Sequence, residues 1–202
     1  MPLFFGKPTE QVKLTPRAEL ERKYEGGRSN LLFAIILTAV NIVAPLFGAN
    51  IYMLFSIFVP TLLVTEGRFI CGLYPEEVYE ELDMSGIVLL DKAYFFIFLI
   101  IAVVITLVFL LMWLLSKNGK VGFMIAATVL FALDTLAIFF LAGGITFDII
   151  FDILFHAWVM YYLIVAIVAH FKLKSLPAEE ENGDAYDSVL DAFANPDPNN
   201  FK

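Results

Sequence analysis

Asn41, Asp134, Asp148, Asp152 and His156 stand inside long apolar stretches of a 202-residue chain. A carboxylate or imidazole in hydrocarbon is costly unless it is paired or lines a watery cavity, so each position is a candidate functional site. Asp148, Asp152 and His156 recur at i, i+4 and i+8, which puts them on one face of a helix. Three chemistries use such a face. Carboxylates at successive turns hold or pass a cation, and an imidazole exchanges protons near neutral pH. Asp152 and His156, joined by Asp134, supply oxygen and nitrogen ligands to a divalent ion. A histidine oriented by an aspartate also serves as a base. That use is the weakest of the three, because Ser29 and Ser56 lack the G-x-S-x-G turn of an activated serine.

Plainer uses of the same residues follow from the same chemistry. Asp134 and His156 suit a hydrogen-bonded pair that joins two helices. Asp148, next to Thr146, suits a helix cap, and Asp152 sits one turn inside the helix. His156 and His170 share a helix, a spacing that suits haem stacking. Each iron would need a second axial histidine, and the chain contains two histidines in all, so a monomer has no such site.

The elements that must position these residues are membrane spans. The chain is 60% hydrophobic and 17% charged, more apolar surface than a soluble domain of this size can bury. A helix crosses a hydrocarbon core with about 20 apolar residues. The stretches 93–115, 121–142 and 147–171 each meet that length, and 31–47 reads as a further span. The apolar stretch continues past Pro45, Gly48 and Asn50 into 51–64, which contains Pro60. That piece reads as a re-entrant or short membrane-embedded helix, with a fifth, short span as the alternative. The expected fold is therefore all-α: an integral membrane helical bundle over 29–174, with four full spans and one embedded helix.

At a rise of 1.5 Å per residue, Asn41, Asp134 and His156 each fall roughly 10–13 Å below the same end of their spans. They form one expected layer, with Asp152 above it. Asn41, Asp134, Asp152 and His156 are accordingly the expected ion- or substrate-binding residues.

The flanking segments differ in charge. Residues 1–30 carry six bases and four acids, the loop 65–92 seven acids and two bases, and 175–202 seven acids and one base. Within 1–28, Thr15-Pro16 starts a short surface helix that Gly26-Gly27 is expected to break or bend. About 30 residues precede the first apolar run, which reads as a retained anchor. Residues 75–84 (PEEVYEELDM) read as a short helix in the acidic loop, and 175–202 as a disordered tail. In that tail Val189, Leu190 and Phe193 share a face that suits a protein partner.

Lys and Arg near short loops mark the cytoplasm. With four spans, Lys117, Lys120, Lys172 and Lys174 fall on the side of the N-terminus, and both termini are cytoplasmic. No stripe of bases with interleaved stacking residues points to nucleic acid. Cys71 is the one cysteine, so no internal disulfide forms.

The stretches 22–41 (RKYEGGRSNLLFAIILTAVN), 55–60 (FSIFVP) and 156–177 (HAWVMYYLIVAIVAHFKLKSLP) resemble a group of small polytopic membrane proteins of Gram-positive bacteria. The resemblance implies a bacterial plasma membrane and brings no activity or site residues with it. The expected function is transport or channel-like handling of a cation or small polar solute at an outward-opening intramembrane site. The alternative is a membrane adaptor or accessory subunit that binds a protein through its acidic tail or surface helix, and a membrane-embedded enzyme comes third. A bound cation is the one cofactor the residues suggest. The bilayer is the expected surrounding, and a homodimer or larger membrane complex the expected assembly.

Overall fold

A computed structural model describes residues 15–49, 55–82, 84, 87–142, 144 and 146–176, apart from the side chain of Asp148. The expected helical motif of the tail and the stretch 1–14 lie outside the described residues. Among the described residues every regular element is helical. Six α-helices run in order: α1 Pro16–Val43, α2 Phe58–Ile70, α3 Glu76–Glu80, α4 Phe95–Leu115, α5 Val121–Leu141 and α6 Phe147–Ser175. Four helical segments, Pro16–Phe47, Lys92–Leu115, Val121–Leu141 and Ile149–Ser175, are long and apolar enough to cross a membrane. The chain therefore fits a multi-pass membrane protein.

The outer surface agrees with that assignment. Phe96, Ile100, Leu107, Leu133, Phe140 and Leu154 are more than half exposed, on three different helices. Leaving such side chains uncovered is unfavourable in water and costs nothing in lipid. Inside, α1 packs chiefly on α6, while α2 packs on α4 and α5. Leu31, Ala34, Phe131, Val159, Leu163 and Ala166 form the centre of the core.

Three expected boundaries shift. The N-terminal helix begins as the sequence implies: the Thr15 hydroxyl accepts from the Ala18 N–H at 3.2 Å, with Pro16 in the first turn. It does not break at Gly26-Gly27, however, and runs unbroken into the span. Gly27 is there for packing. A Cβ at this position would lie 2.5 Å from the Ala166 Cβ and 2.8 Å from the Tyr162 carbonyl oxygen, so only glycine lets α1 approach α6 this closely. The second shift concerns the helix expected at 51–64. Residues 51–54 lie outside the described residues, and α2 starts at Phe58 and continues to Ile70.

The loop beyond α2 folds back on it. The Tyr79 hydroxyl donates to the Phe69 carbonyl at 3.0 Å, and the Leu90 N–H donates to the Ile70 carbonyl at 2.9 Å. The helix expected over 75–84 is shorter than its pattern, ending at Glu80. Cys71 is buried beside this loop, and burial pushes its thiol above the ordinary range, so it is an inert core residue.

The glycine pair gives a test. Gly27→Ala should lower the stability of the detergent-solubilised protein by about 1–3 kcal/mol, the usual cost of overpacking a close contact. At Gly26 an added Cβ would meet nothing within 4 Å, so alanine there should be tolerated or should stabilise the helix. Thermal unfolding followed by tryptophan fluorescence separates the two.

Candidate functional site

The first turn of a helix has four main-chain positions whose N–H groups find no partner within the helix. For α2 these are Ile57, Phe58, Val59 and Pro60, and their partners come from α1 and α5. Each is accounted for. The Ile57 N–H donates to the Thr38 hydroxyl of α1 at 2.8 Å. Phe58 and Val59 donate to Asp134 of α5, one to each carboxylate oxygen, both at 2.8 Å. Pro60 has no N–H to satisfy. Just upstream, the Phe55 N–H donates to Asp152 of α6 at 3.4 Å. Asp134 therefore does the work of an N-cap from a different helix, its two carboxyl oxygens meeting the positive end of the α2 dipole.

The chain reaches this point through a strained residue. Phe55 adopts a φ of 74°, a left-handed conformation rare for a bulky side chain, and its ring packs on Phe155 at 5.1 Å. The cost of such a residue persists only where the surroundings hold it in place. The bonds to Asp152, Thr38 and Asp134 do so.

His156 completes the cluster and is fully buried. Its ring stacks on Phe131, with centroids 4.8 Å apart. Its Nδ1 lies 2.7 Å from the Asp152 carbonyl oxygen, and its Nε2 lies 3.0 Å from the Asp134 Oδ2. A carbonyl oxygen only accepts, so Nδ1 carries a hydrogen. In a neutral imidazole Nε2 would then present a lone pair, and an ionised carboxylate would present another. The short Nε2–Oδ2 contact thus holds one further proton, as an imidazolium–carboxylate pair or as a carboxylic acid donating to imidazole. In either form the pair as a whole is neutral, the state that a low-dielectric interior favours.

Four sequence-derived candidates fall in one region. Asp134 and His156 are in direct contact. Asp152 and Asn41 approach the same segment from α6 and α1: the Asn41 side-chain amide donates to the Ser56 hydroxyl at 2.9 Å, which lies 3.0 Å from that of Thr61. All four are buried, as are Thr38, Ser56 and Thr61. The sequence alone did not point to their main partner, the N–H groups of residues 55–59, nor to Ser56 and Thr61. Pro60 carried the available signal. Proline belongs in a helix's first turn, which places the start of α2 near Ile57 instead of residue 51. Of the outer residues, Thr146 caps α6 through the Ile149 N–H at 3.4 Å, and the side chain of Asp148 lies outside the described residues.

No family model, curated protein or solved structure matches this chain. The cluster has to be read on its own chemistry. Among the described residues no group of three or more His, Cys, Asp and Glu side chains is placed to hold a metal ion. Asp134 and His156 direct side-chain atoms to main-chain groups and to each other, and the Asp152 Oδ1 accepts from the Phe55 N–H.

Asp134→Asn offers a narrow test. The amide keeps one acceptor but turns a hydrogen-bond donor toward a second donor, either the Phe58 or the Val59 N–H. Leaving a buried N–H unmade costs about 1–3 kcal/mol. A corresponding fall in thermal stability is expected, with a smaller one for Thr38→Val, which frees the single Ile57 N–H.

Proposed function

We propose that this protein is a small transport or channel-like membrane protein and that the cation it handles is the proton, held between Asp134 and His156. One observation carries the reading: the Nδ1 and Nε2 contacts of His156 require a proton in the bond to Asp134. When that proton leaves, the Nε2 lone pair faces Oδ2 and the pair repels. Asp134 is also the cap of α2, so the repulsion acts directly on the start of that helix. A proton-dependent hold on α2 couples proton occupancy to the position of a whole segment, which a proton-coupled carrier needs.

Several features support the membrane arrangement that goes with this. Asp134 lies two-thirds of the way along α5, so α2 starts at depth and runs outward as a re-entrant helix. Interrupted helices of this kind occur in membranes where neighbouring groups satisfy their main chain. Four spans put Lys117, Lys120, Lys172 and Lys174 on the side of the N-terminus, which is then cytoplasmic, in a plasma membrane. The site accordingly faces the outer half. Assembly as a homodimer or within a larger complex fits the small number of spans.

A second reading has its own support. Both Asp134 oxygens accept main-chain N–H groups, the arrangement of a purely structural clasp. In that case the protein is an accessory membrane subunit, and proton movement has no part in its action.

Proton flux decides between them. Purified protein in liposomes carrying an internal pH dye should dissipate an imposed pH gradient faster than empty liposomes. Asp134→Asn and His156→Gln should reduce the protein-dependent rate at least about tenfold, following loss of the group that holds the proton. Equal rates for wild-type and empty liposomes, under gradients of either sign, would favour the accessory reading.

A further inference from the structure

At the opposite end of the bundle, a cavity of about 670 Å³ opens between α1, the α4–α5 turn and α6. Its lining includes four bases, Arg17, Arg28, Lys117 and Lys174, against two acids, Glu21 and Glu25. Arg28 belongs to its floor. This side chain is 8% exposed and donates to Glu25 at 2.6 Å, to the Ser116 hydroxyl at 3.1 Å and to the Trp113 carbonyl at 3.4 Å. With Arg28 and Glu25 satisfying each other, Arg17, Lys117 and Lys174 face the cavity against Glu21 alone. The Arg17 Nε is buried and has no hydrogen-bond partner among the described residues. A cavity with surplus positive charge favours an anion that accepts several hydrogen bonds.

Direct contacts tie its walls together. The Tyr24 hydroxyl donates to the Ser116 carbonyl at 2.7 Å, and the Tyr24 ring lies against His170 at 5.6 Å. The α4–α5 turn is made of Asn118 and Gly119, both with left-handed φ (58° and 71°), a conformation suited to an Asn-Gly pair. Gly119 brings the turn against the His170 ring, where a Cβ would lie 3.4 Å from Cε1.

We infer that this cavity binds the phosphate-bearing headgroup of an anionic phospholipid. Phosphate is the anion that matches a guanidinium and two ammonium groups converging from three elements. Two observations favour a lipid over free phosphate. The cavity falls within the size range of sites for whole small molecules, far larger than one phosphate ion needs. In addition, Phe171 stands one turn before Lys174 on the same face of α6 and is more than half exposed. It offers an exposed apolar surface next to a lining residue, on which an acyl chain would lie once its headgroup is seated. Basic recesses at the ends of membrane helices suit such headgroups.

The test uses the full-length protein in a neutral detergent, with thermal unfolding as the readout. Phosphatidylglycerol should raise the unfolding temperature in a saturable way, whereas phosphatidylcholine and inorganic phosphate at equal concentration should not. The variant K117Q/K174Q should weaken the phosphatidylglycerol effect by roughly tenfold or more in midpoint concentration. K120Q/K172Q removes the same charge from residues outside the cavity lining and should keep the wild-type midpoint. Equal weakening in both double variants would reduce the effect to general surface charge and overturn the site. An equal shift with phosphatidylcholine would also overturn it, and saturable stabilisation by inorganic phosphate alone would overturn the assignment to lipid. Should K117Q/K174Q fail to fold, R17Q gives the same comparison from α1.

Discussion

A helix that starts inside a bundle of apolar helices has to satisfy its first-turn N–H groups without water, and the rest of this structure is arranged around that need. The start of α2 meets it with two side chains from other helices and one proline. Thr38 takes the Ile57 N–H, Asp134 takes those of Phe58 and Val59, and Pro60 has none to offer. Asp152 adds a hold on Phe55 just upstream. Each unmet N–H in this buried position would cost about 1–3 kcal/mol. The same groups fix the directions of α1, α5 and α6 relative to α2, so one cluster sets the local geometry of four helices. His156 reaches the same carboxyl group from α6, and the pair with its shared proton is neutral as a whole.

Much of the fold was legible in the sequence because length and hydropathy constrain membrane spans tightly. The four apolar stretches correspond closely to the four helices long enough to cross a membrane. Polar residues with no place in lipid, Asn41, Asp134, Asp152 and His156, pointed to one region, and the structure gathers them around α2. Depth along each span put Asn41, Asp134 and His156 in one expected layer, with Asp152 above it.

The parts that were not legible have physical reasons. Gly26-Gly27 reads as a helix break from intrinsic propensity, but the close approach of α1 to α6 at Gly27 overrides it. The start of α2 was set too early because apolar content runs continuously from Ile51. Pro60 marked the boundary correctly, and its position in the first turn outweighs the hydropathy of the preceding residues. The partner of Asp134 was hidden for a deeper reason: it is main-chain N–H, which no residue type announces. The same holds for the basic cavity, since Arg17, Lys117 and Lys174 are far apart in sequence and meet only through the packing of α1 on α6.

Everything proposed for α2 depends on the proton between His156 and Asp134, and nitrogen-15 NMR of histidine-labelled protein in lipid reads it directly. The expected spectrum shows a protonated His156 Nδ1 and an Nε2 with the signature of a shared proton, which Asp134→Asn removes without stripping Nδ1. A neutral His156 with its hydrogen on Nε2 and a bare Nδ1, unchanged by Asp134→Asn, would contradict it.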